Sequence, residues 1–381
     1  MAKYIKTLTG RIRFWAGLLL AQFLLFFILS KIPAAIQFFE EFFELQKQAH
    51  MQLFSGLSFS AGDVLYILLF LLIAVIAVNI FKRSKRPSAL KSGLIMLNVL
   101  YFVYQFFWGM LYFQPPLIEK LQGNEPTAAQ AKELALIFLQ KCKNSRTQVR
   151  EDQNGVFRLV NSNDLQTVIL AQQNEIPAEI STKKAALVNS VKPSLFAPVM
   201  SFTGISGYYN PFTAEAQYNP LLPSTQIPAT IAHETAHQLG FAREQEASFI
   251  GYLIGRNAGN PELRYSTEFF ALKSLLRSLS EKDSAFVEQT MASFSDGMQR
   301  DLEYERKFAE EHDGILDVFF GFTNDLFLKS NQQEGSITYS YFVELLIGYE
   351  NSKKKNRVSQ RDSKNTNDEK KYSSIQRLAP H

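Results

Sequence analysis

The chain has 381 residues, of which 46% are hydrophobic, 20% charged and 13% aromatic. That length admits two or three domains, and a formal charge of +4, confined to local clusters, gives no case for a nucleic-acid partner. A single cysteine, Cys142, excludes an intrachain disulfide framework and any Cys-rich metal cluster.

The ordinary average hides a split along the chain. Charge-free apolar runs occupy Phe14 to Ser30, Val64 to Phe81 and Ser92 to Ile118. At 1.5 Å per residue they cover about 25 to 40 Å, against a hydrocarbon core of about 30 Å, so each is expected to span a membrane. The first has basic residues ahead of it, as a signal-peptide core does, but it is long and no small-residue cleavage site precedes Lys31-Ile32-Pro33, which favours an uncleaved helix. Lys3, Lys6, Arg11 and Arg13 precede the first run, and Lys82, Arg83, Lys85, Arg86 and Lys91 separate the second from the third. The loop between the first two has only Lys31 and Lys47, set against Glu40, Glu41, Glu44 and Asp63. Positive charge is retained on the cytoplasmic side, so the N-terminus is expected there and everything after the third span outside. In the first outer loop Ile36, Phe38, Phe39, Phe42, Phe43 and Leu45 form a stripe with Glu40, Glu41 and Glu44 opposite. This is the pattern of an amphipathic helix lying on the membrane surface or on the protein's own outer domain.

Pro115-Pro116 are expected to end the third span, giving a membrane anchor over residues 1–118 and an outer domain over 119–350. Thr127 to Lys143 reads as a helix with Ala131, Leu134, Ala135, Ile137, Phe138 and Cys142 on one stripe. Cys142 there is a core residue rather than a nucleophile, since nothing around it would lower a thiol pKa. Between Gly155 and Ile180, Val156, Phe157, Leu159, Val160 and Thr167-Val168-Ile169-Leu170 suggest short strands or a strand-helix mixture. Glu262 to Phe320 is helical in pattern, and Tyr339 to Tyr349 reads as one more short helix. Residues 351–381 are polar with Lys353-Lys354-Lys355 at their start, and are expected to form a disordered, solvated basic tail.

His233-Glu234-Thr235-Ala236-His237 is an HExxH sequence in a chain with 5 His. A helix starting after Ser224 or Thr225, with Pro228 in its first turn, places positions i and i+4 on one face. Both imidazoles can then bind one ion, with Glu234 positioned as general base. A catalytic zinc takes three protein ligands and keeps one position open. Gly240 is placed to end this helix in the left-handed conformation and turn the chain back, so that a nearby carboxylate can return to the metal. Two compete. Glu244 shares a helical face with the small Ala247 and Gly251, which would let the second helix approach the first closely, whereas Glu246 lies about 200° around. Glu244 is therefore favoured as third ligand, with Glu246 the alternative.

HExxH followed by a Glu helix of the form ExxA resembles the gluzincin branch of the zincin metallopeptidases. The resemblance implies a zincin-like fold, Zn2+ held by His233, His237 and Glu244, Glu234 as catalytic base and Ala247 as a packing residue. His233 to Tyr252, with Gly207-Tyr208-Tyr209-Asn210-Pro211-Phe212-Thr213 upstream, is similar to a family of bacterial membrane-anchored proteins called domain of unknown function 3810, over most of residues 1 to 350. The loop between the second His and the Glu is very short for a gluzincin; it has metzincin spacing, except that Arg243 stands where the third metzincin ligand would be.

Phe212 to Tyr218 alternates with period two and suits an extended segment bordering the site, either an edge that pairs with a substrate backbone or an ordinary surface strand. Tyr208, Tyr209 and Tyr339 are candidates for an oxyanion stabiliser. The expectation is a mainly α-helical α+β domain on three transmembrane helices, in a bacterial inner membrane, acting as a zinc metallopeptidase on peptides or proteins on the periplasmic or extracellular side. The alternative is a catalytically silent zinc-binding scaffold or receptor in the envelope. Intramembrane proteolysis is disfavoured, because Arg243, Glu244 and Glu246 crowd the motif.

Overall fold

The computed structural model describes residues 2–121, 126–160, 162–314 and 341–353 and is mostly helical with one small sheet. Four helices open the chain: α1 (Ala2–Leu29), α2 (Pro33–Ser55), α3 (Ala61–Phe81) and α4 (Arg86–Phe107). Of these α1 (over Gly10–Leu29), α3 and α4 are long and apolar enough to cross a membrane. Both α1 and α3 pack against α4. In the α1–α4 contact Asn98 accepts from Gln22 at 3.0 Å and donates to the Trp15 carbonyl at 3.0 Å, the kind of polar link that joins helices where water is absent.

The third apolar run behaves differently from the expectation. The helix stops at Phe107, Trp108 leaves helical geometry, and Gly109–Phe113 form a 3-10 turn whose Met110, Leu111 and Tyr112 are buried in protein. Apolar residues destined for a protein core and for lipid look alike in a hydropathy reading, so the run continues in sequence where the span has ended.

The segment between α1 and α3 forms α2, which docks on the domain that follows α4. Phe39, Phe43, Lys47 and Met51, spaced by four, are its buried face. Lys47 donates to the Lys184 carbonyl at 2.8 Å, and Gln48 both donates to the Ala185 carbonyl and accepts from the Leu187 amide. Glu40 and Glu44, opposite the apolar stripe in the sequence, bind the Lys183 ammonium and the Lys184 amide.

Beyond the anchor, α5 (Ala128–Arg146) starts at a capping box between Thr127 and Gln130 and buries Ala131, Leu134, Ala135, Phe138 and Cys142. Burial pushes the Cys142 thiol well above its ordinary range, in keeping with an inert core residue. The ambiguous stretch resolves into a single bridge, Glu151 to Phe157, and a helix, α6 (Ser162–Gln172). Its β-branched Thr167-Val168-Ile169 pointed toward strand, but Leu165 and Ile169, four apart, are the pair that reaches the core.

Next come β1 (Val191–Pro193), the short α7 (Ala197–Phe202), β2 (Gly207–Asn210) and β3 (Glu215–Tyr218). The sheet order is β1-β3-β2, with β3 parallel to β1 and antiparallel to β2. Of the alternating Phe212–Tyr218 segment, residues 212–214 form a turn and Glu215–Tyr218 is the central strand of the sheet, flanked on both sides, so this strand offers no free edge to a substrate. The remaining helices are α8 (Ile227–Gln238), α9 (Glu244–Gly255), α10 (Pro261–Leu279), α11 (Ser284–Ala292) and α12 (Asp296–His312), followed by a helix over 341–353. The core forms where α8 packs on the sheet and on α9, with α10 packed against α5, α8 and α9. Residues 315–320 of the expected helical stretch, Tyr339 and most of the expected tail lie outside the described residues.

Candidate functional site

The site is built on α8. Ile231, Ala232 and Ala236 are fully buried and fix the rotation of this helix, so that His233, Glu234 and His237 bring ligand atoms within 4.8 Å of one another. The helix ends as its sequence suggests: Gly240 adopts φ +96°, its amide donates to the His237 carbonyl at 2.8 Å, and the Phe241 amide donates to Ala236 at 3.2 Å. This pair of bonds is a Schellman turn, which glycine enters without strain. Only Phe241, Ala242 and Arg243 then separate the turn from α9.

The crossing of α8 and α9 is close because Gly251 has no side chain. A Cβ there would lie 2.9 Å from the His233 amide nitrogen and 3.1 Å from its Cα. That approach carries Glu244, at the start of α9, onto the imidazoles: its carboxylate lies 3.1 Å from His233 Nε2 and 3.5 Å from His237 Nε2. The opposite ring nitrogens are also held. His237 Nδ1 is 2.7 Å from the Phe241 carbonyl, an acceptor only, so it carries a proton and donates it. His233 Nδ1 is 3.0 Å from Ser248 Oγ. In neutral His237 the lone pair therefore sits on Nε2, facing Glu244, and the Ser248 hydroxyl is compatible with the same arrangement at His233. The role of Ser248 was missed in the sequence, although its position four residues after Glu244 puts it on the same helical face.

Glu234 is buried beside this group, and its Oε2 has no hydrogen-bond partner among the described residues. Burial pushes its carboxyl up to about 7, against the opposing pull of the two imidazoles. Space for it comes from Gly207 at the start of β2, where a Cβ would lie 2.7 Å from Glu234 Cγ. For Glu244 burial opposes the charge, but His237 and His233 outweigh it and hold the carboxyl well below its usual range.

Glu246 is turned away from the histidines. It accepts from the Leu117 amide at 2.8 Å and from Arg243 at 3.0 Å, and Arg243 also donates to the Gln114 carbonyl. Arg243 and Glu246 thus clamp the segment that leaves α4. The tyrosines divide similarly. Tyr208 donates to Asp63, in the first turn of α3, and is removed from the site. Tyr209 faces His237 with ring centroids 6.5 Å apart and packs on Trp108 at 4.4 Å. Trp108 itself lies 5.8 Å from the His237 ring, so the end of α4 walls the site. Trp108 carried no signal in the sequence, because its partners in the site, Tyr209 and His237, are more than a hundred residues away.

Two imidazoles with tethered Nδ1 atoms, a carboxylate and a buried unpartnered acid form a donor set that suits a divalent cation of the zinc type. A family model described as "Protein of unknown function (DUF3810)" matches residues 38–347, most of the chain, and the protein belongs to that family. Comparison with curated proteins and with solved structures finds no match.

Proposed function

We propose that the protein is a membrane-anchored, zinc-dependent metallopeptidase with a zincin-like domain, its site on the extracytoplasmic side of a bacterial inner membrane. The observation that carries this reading is the meeting of one carboxylate, Glu244, with the Nε2 atoms of both HExxH histidines, while the Nδ1 atoms are bound to Phe241 and Ser248. On this reading His233, His237 and Glu244 would hold the ion, and the chemistry it would supply there is Lewis-acid polarisation of a scissile carbonyl and of water. Glu234 takes the proton from the attacking water and returns it to the leaving amine; its buried Oε2, without a hydrogen-bond partner among the described residues, is available for both transfers. The Phe241 carbonyl and Ser248 orient the two rings, and Tyr209 and Trp108 exclude water from one side of His237.

The test uses the full chain, because Phe43, Trp108 and Leu117 of the anchor pack into the outer domain. Zinc content should be close to one per chain and should fall in His233→Ala and His237→Ala. A Glu234→Gln variant should keep zinc and lose hydrolysis of a peptide library. Full zinc occupancy in both histidine variants would place the metal elsewhere. Zinc binding with no hydrolysis by the unsubstituted chain would favour the silent scaffold.

A further inference from the structure

Helix α2 has two apolar lines, and only one of them faces the outer domain. The buried line runs through Phe39, Phe43, Lys47 and Met51. A second, Phe38, Phe42, Leu45, Ala49 and Leu53, lies about 140° around the helix, at about 100° per residue. Leu45 and Leu53 in it are 82% and 74% exposed. A contiguous apolar line of this kind marks a contact surface, and three observations identify what covers it.

The first is the placement of the helix ends. α2 begins just after α1 ends, and six Cα steps join Ser55 to Ala61 at the start of α3, at most about 20 Å of chain. A helix of 23 residues is about 35 Å long, so α2 cannot stand upright between two spans and lies across their ends. The second is continuity. Phe42, within the exposed line, packs on Phe106 and Phe107 with centroids 4.9 and 5.9 Å away, next to the outward-facing Val99 and Phe102 of α4. The line therefore extends the surface that α4 presents to lipid. The third is chemistry. Glu40, Glu44 and Gln48 lie on a third face, held by residues 183–187, and the second line itself carries no charged or polar side chain.

We propose that the line Phe38–Phe42–Leu45–Ala49–Leu53 lies in the interfacial layer of the leaflet nearest the outer domain, and seats the candidate site on the bilayer. Phe43, on the opposite side of α2, touches the Gly240 turn directly after His237, where an added Cβ would meet its ring at 2.9 Å. Only one helix, about 10–12 Å thick, then separates site and lipid. Resting on the metallopeptidase reading, the substrate class is the juxtamembrane stretch of a membrane-anchored polypeptide. An extended chain crosses that distance in about four residues.

Two measurements on the full chain in proteoliposomes test this. Nitroxides are placed at Leu45→Cys, Leu53→Cys and, as a control on α5, the exposed Leu136→Cys; the native Cys142 is fully buried. Labels at 45 and 53 should be accessible to oxygen and shielded from a water-soluble nickel chelate, with the reverse at 136. Chelate accessibility at 45 and 53 equal to that at 136 overturns the placement without touching the peptidase reading. The second probe is a single-span helix followed by a tail of about forty residues of library sequence, reconstituted with the zinc-loaded protein. Cuts should fall within roughly ten residues of the span. Cuts spread evenly along the tail overturn the substrate class. Absence of any cut from this tail and from the soluble peptide library, with labels 45 and 53 in lipid, overturns the peptidase reading and the substrate class together.

Discussion

Gly251→Ala isolates the link between helix packing and the proposed metal site. The added Cβ would meet the His233 nitrogen at 2.9 Å, its Cα at 3.1 Å and the Ala232 carbonyl carbon at 3.2 Å, all backbone atoms that no rotamer change can move. Restoring ordinary contact requires α9 to withdraw from α8 by about half an ångström. Overpacking of this kind costs about 1–3 kcal/mol, while alanine in place of glycine within a helix recovers about 0.5–1 kcal/mol, so the net loss of stability is at most about 2.5 kcal/mol and the fold should persist. Glu244 moves with α9, and its contacts of 3.1 and 3.5 Å to the imidazoles have no slack. Misplaced supporting groups weaken metal sites by about 10–100-fold, and even the lower figure is about 1.4 kcal/mol. The assay is competitive zinc titration against a chromophoric chelator, paired with thermal unfolding, with Gly259→Ala as a control because nothing lies near a Cβ there. Zinc affinity equal to that of the unsubstituted chain, with the fold retained, would refute the idea that α9 delivers a ligand.

Glu244→Gln should lower zinc affinity far more than Glu246→Gln; the latter should instead cost about 1–3 kcal/mol of stability by weakening a buried carboxylate's bonds to Leu117 and Arg243, and the opposite ranking of affinities would reverse the assignment. Tyr208→Phe removes a donor from buried Asp63 and should lower stability by about 1–3 kcal/mol with turnover per folded molecule unchanged; a loss of kcat at full stability would return Tyr208 to the site. A reporter fused after residue 350 should score as extracytoplasmic and one near Lys85 as cytoplasmic, and inverted signals at both would sink the orientation. Burial raises the Glu268 carboxyl above its ordinary value, with the Ser145 hydroxyl opposing; the folded state therefore holds this proton more tightly, and stability falls as pH rises above about 4.5. Glu268→Gln should be more stable than the unsubstituted chain at pH 7 and level with it near pH 4, and equal Tm differences at both would disprove the titration.

The helix over the HExxH sequence, its glycine turn and the placement of Glu244 rather than Glu246 beside the histidines were readable in the sequence because each depends on residues within twenty positions and on one helical period. The surroundings were not. β3 read as a border segment because its flanking strands, one of three residues and one of four, carry too little pattern to announce themselves. Tyr208 and Tyr209 are adjacent and chemically identical, yet one donates to Asp63 and the other lines the site; the pleat separates them, and the partner that selects between them is on α3. Trp108 stood in a charge-free run whose passage from lipid to protein core leaves no mark in hydropathy.

These distant contacts also fix how far the site can reach. Glu215, fully buried in β3, accepts from the first two amides of α3, Ala61 and Gly62, and pairs with Lys192 at 2.7 Å. Asp63 in the same turn accepts from Ser194, the Leu195 amide and Tyr208. At the other end Glu246 holds the Leu117 amide beyond α4. Hydrogen bonds to charged groups contribute about 1.5–3 kcal/mol each, so a hinge that swung the domain away from α3 and α4 would have to break several such contacts at once. Gly62 adds a steric lock, since a Cβ there would lie 2.8 Å from Gln217 Nε2. The domain is therefore clamped to its anchor through both α3 and α4. On the proposed function, a site on such a clamped domain, unlike one on a flexible tether, would meet its targets at a single height above the membrane.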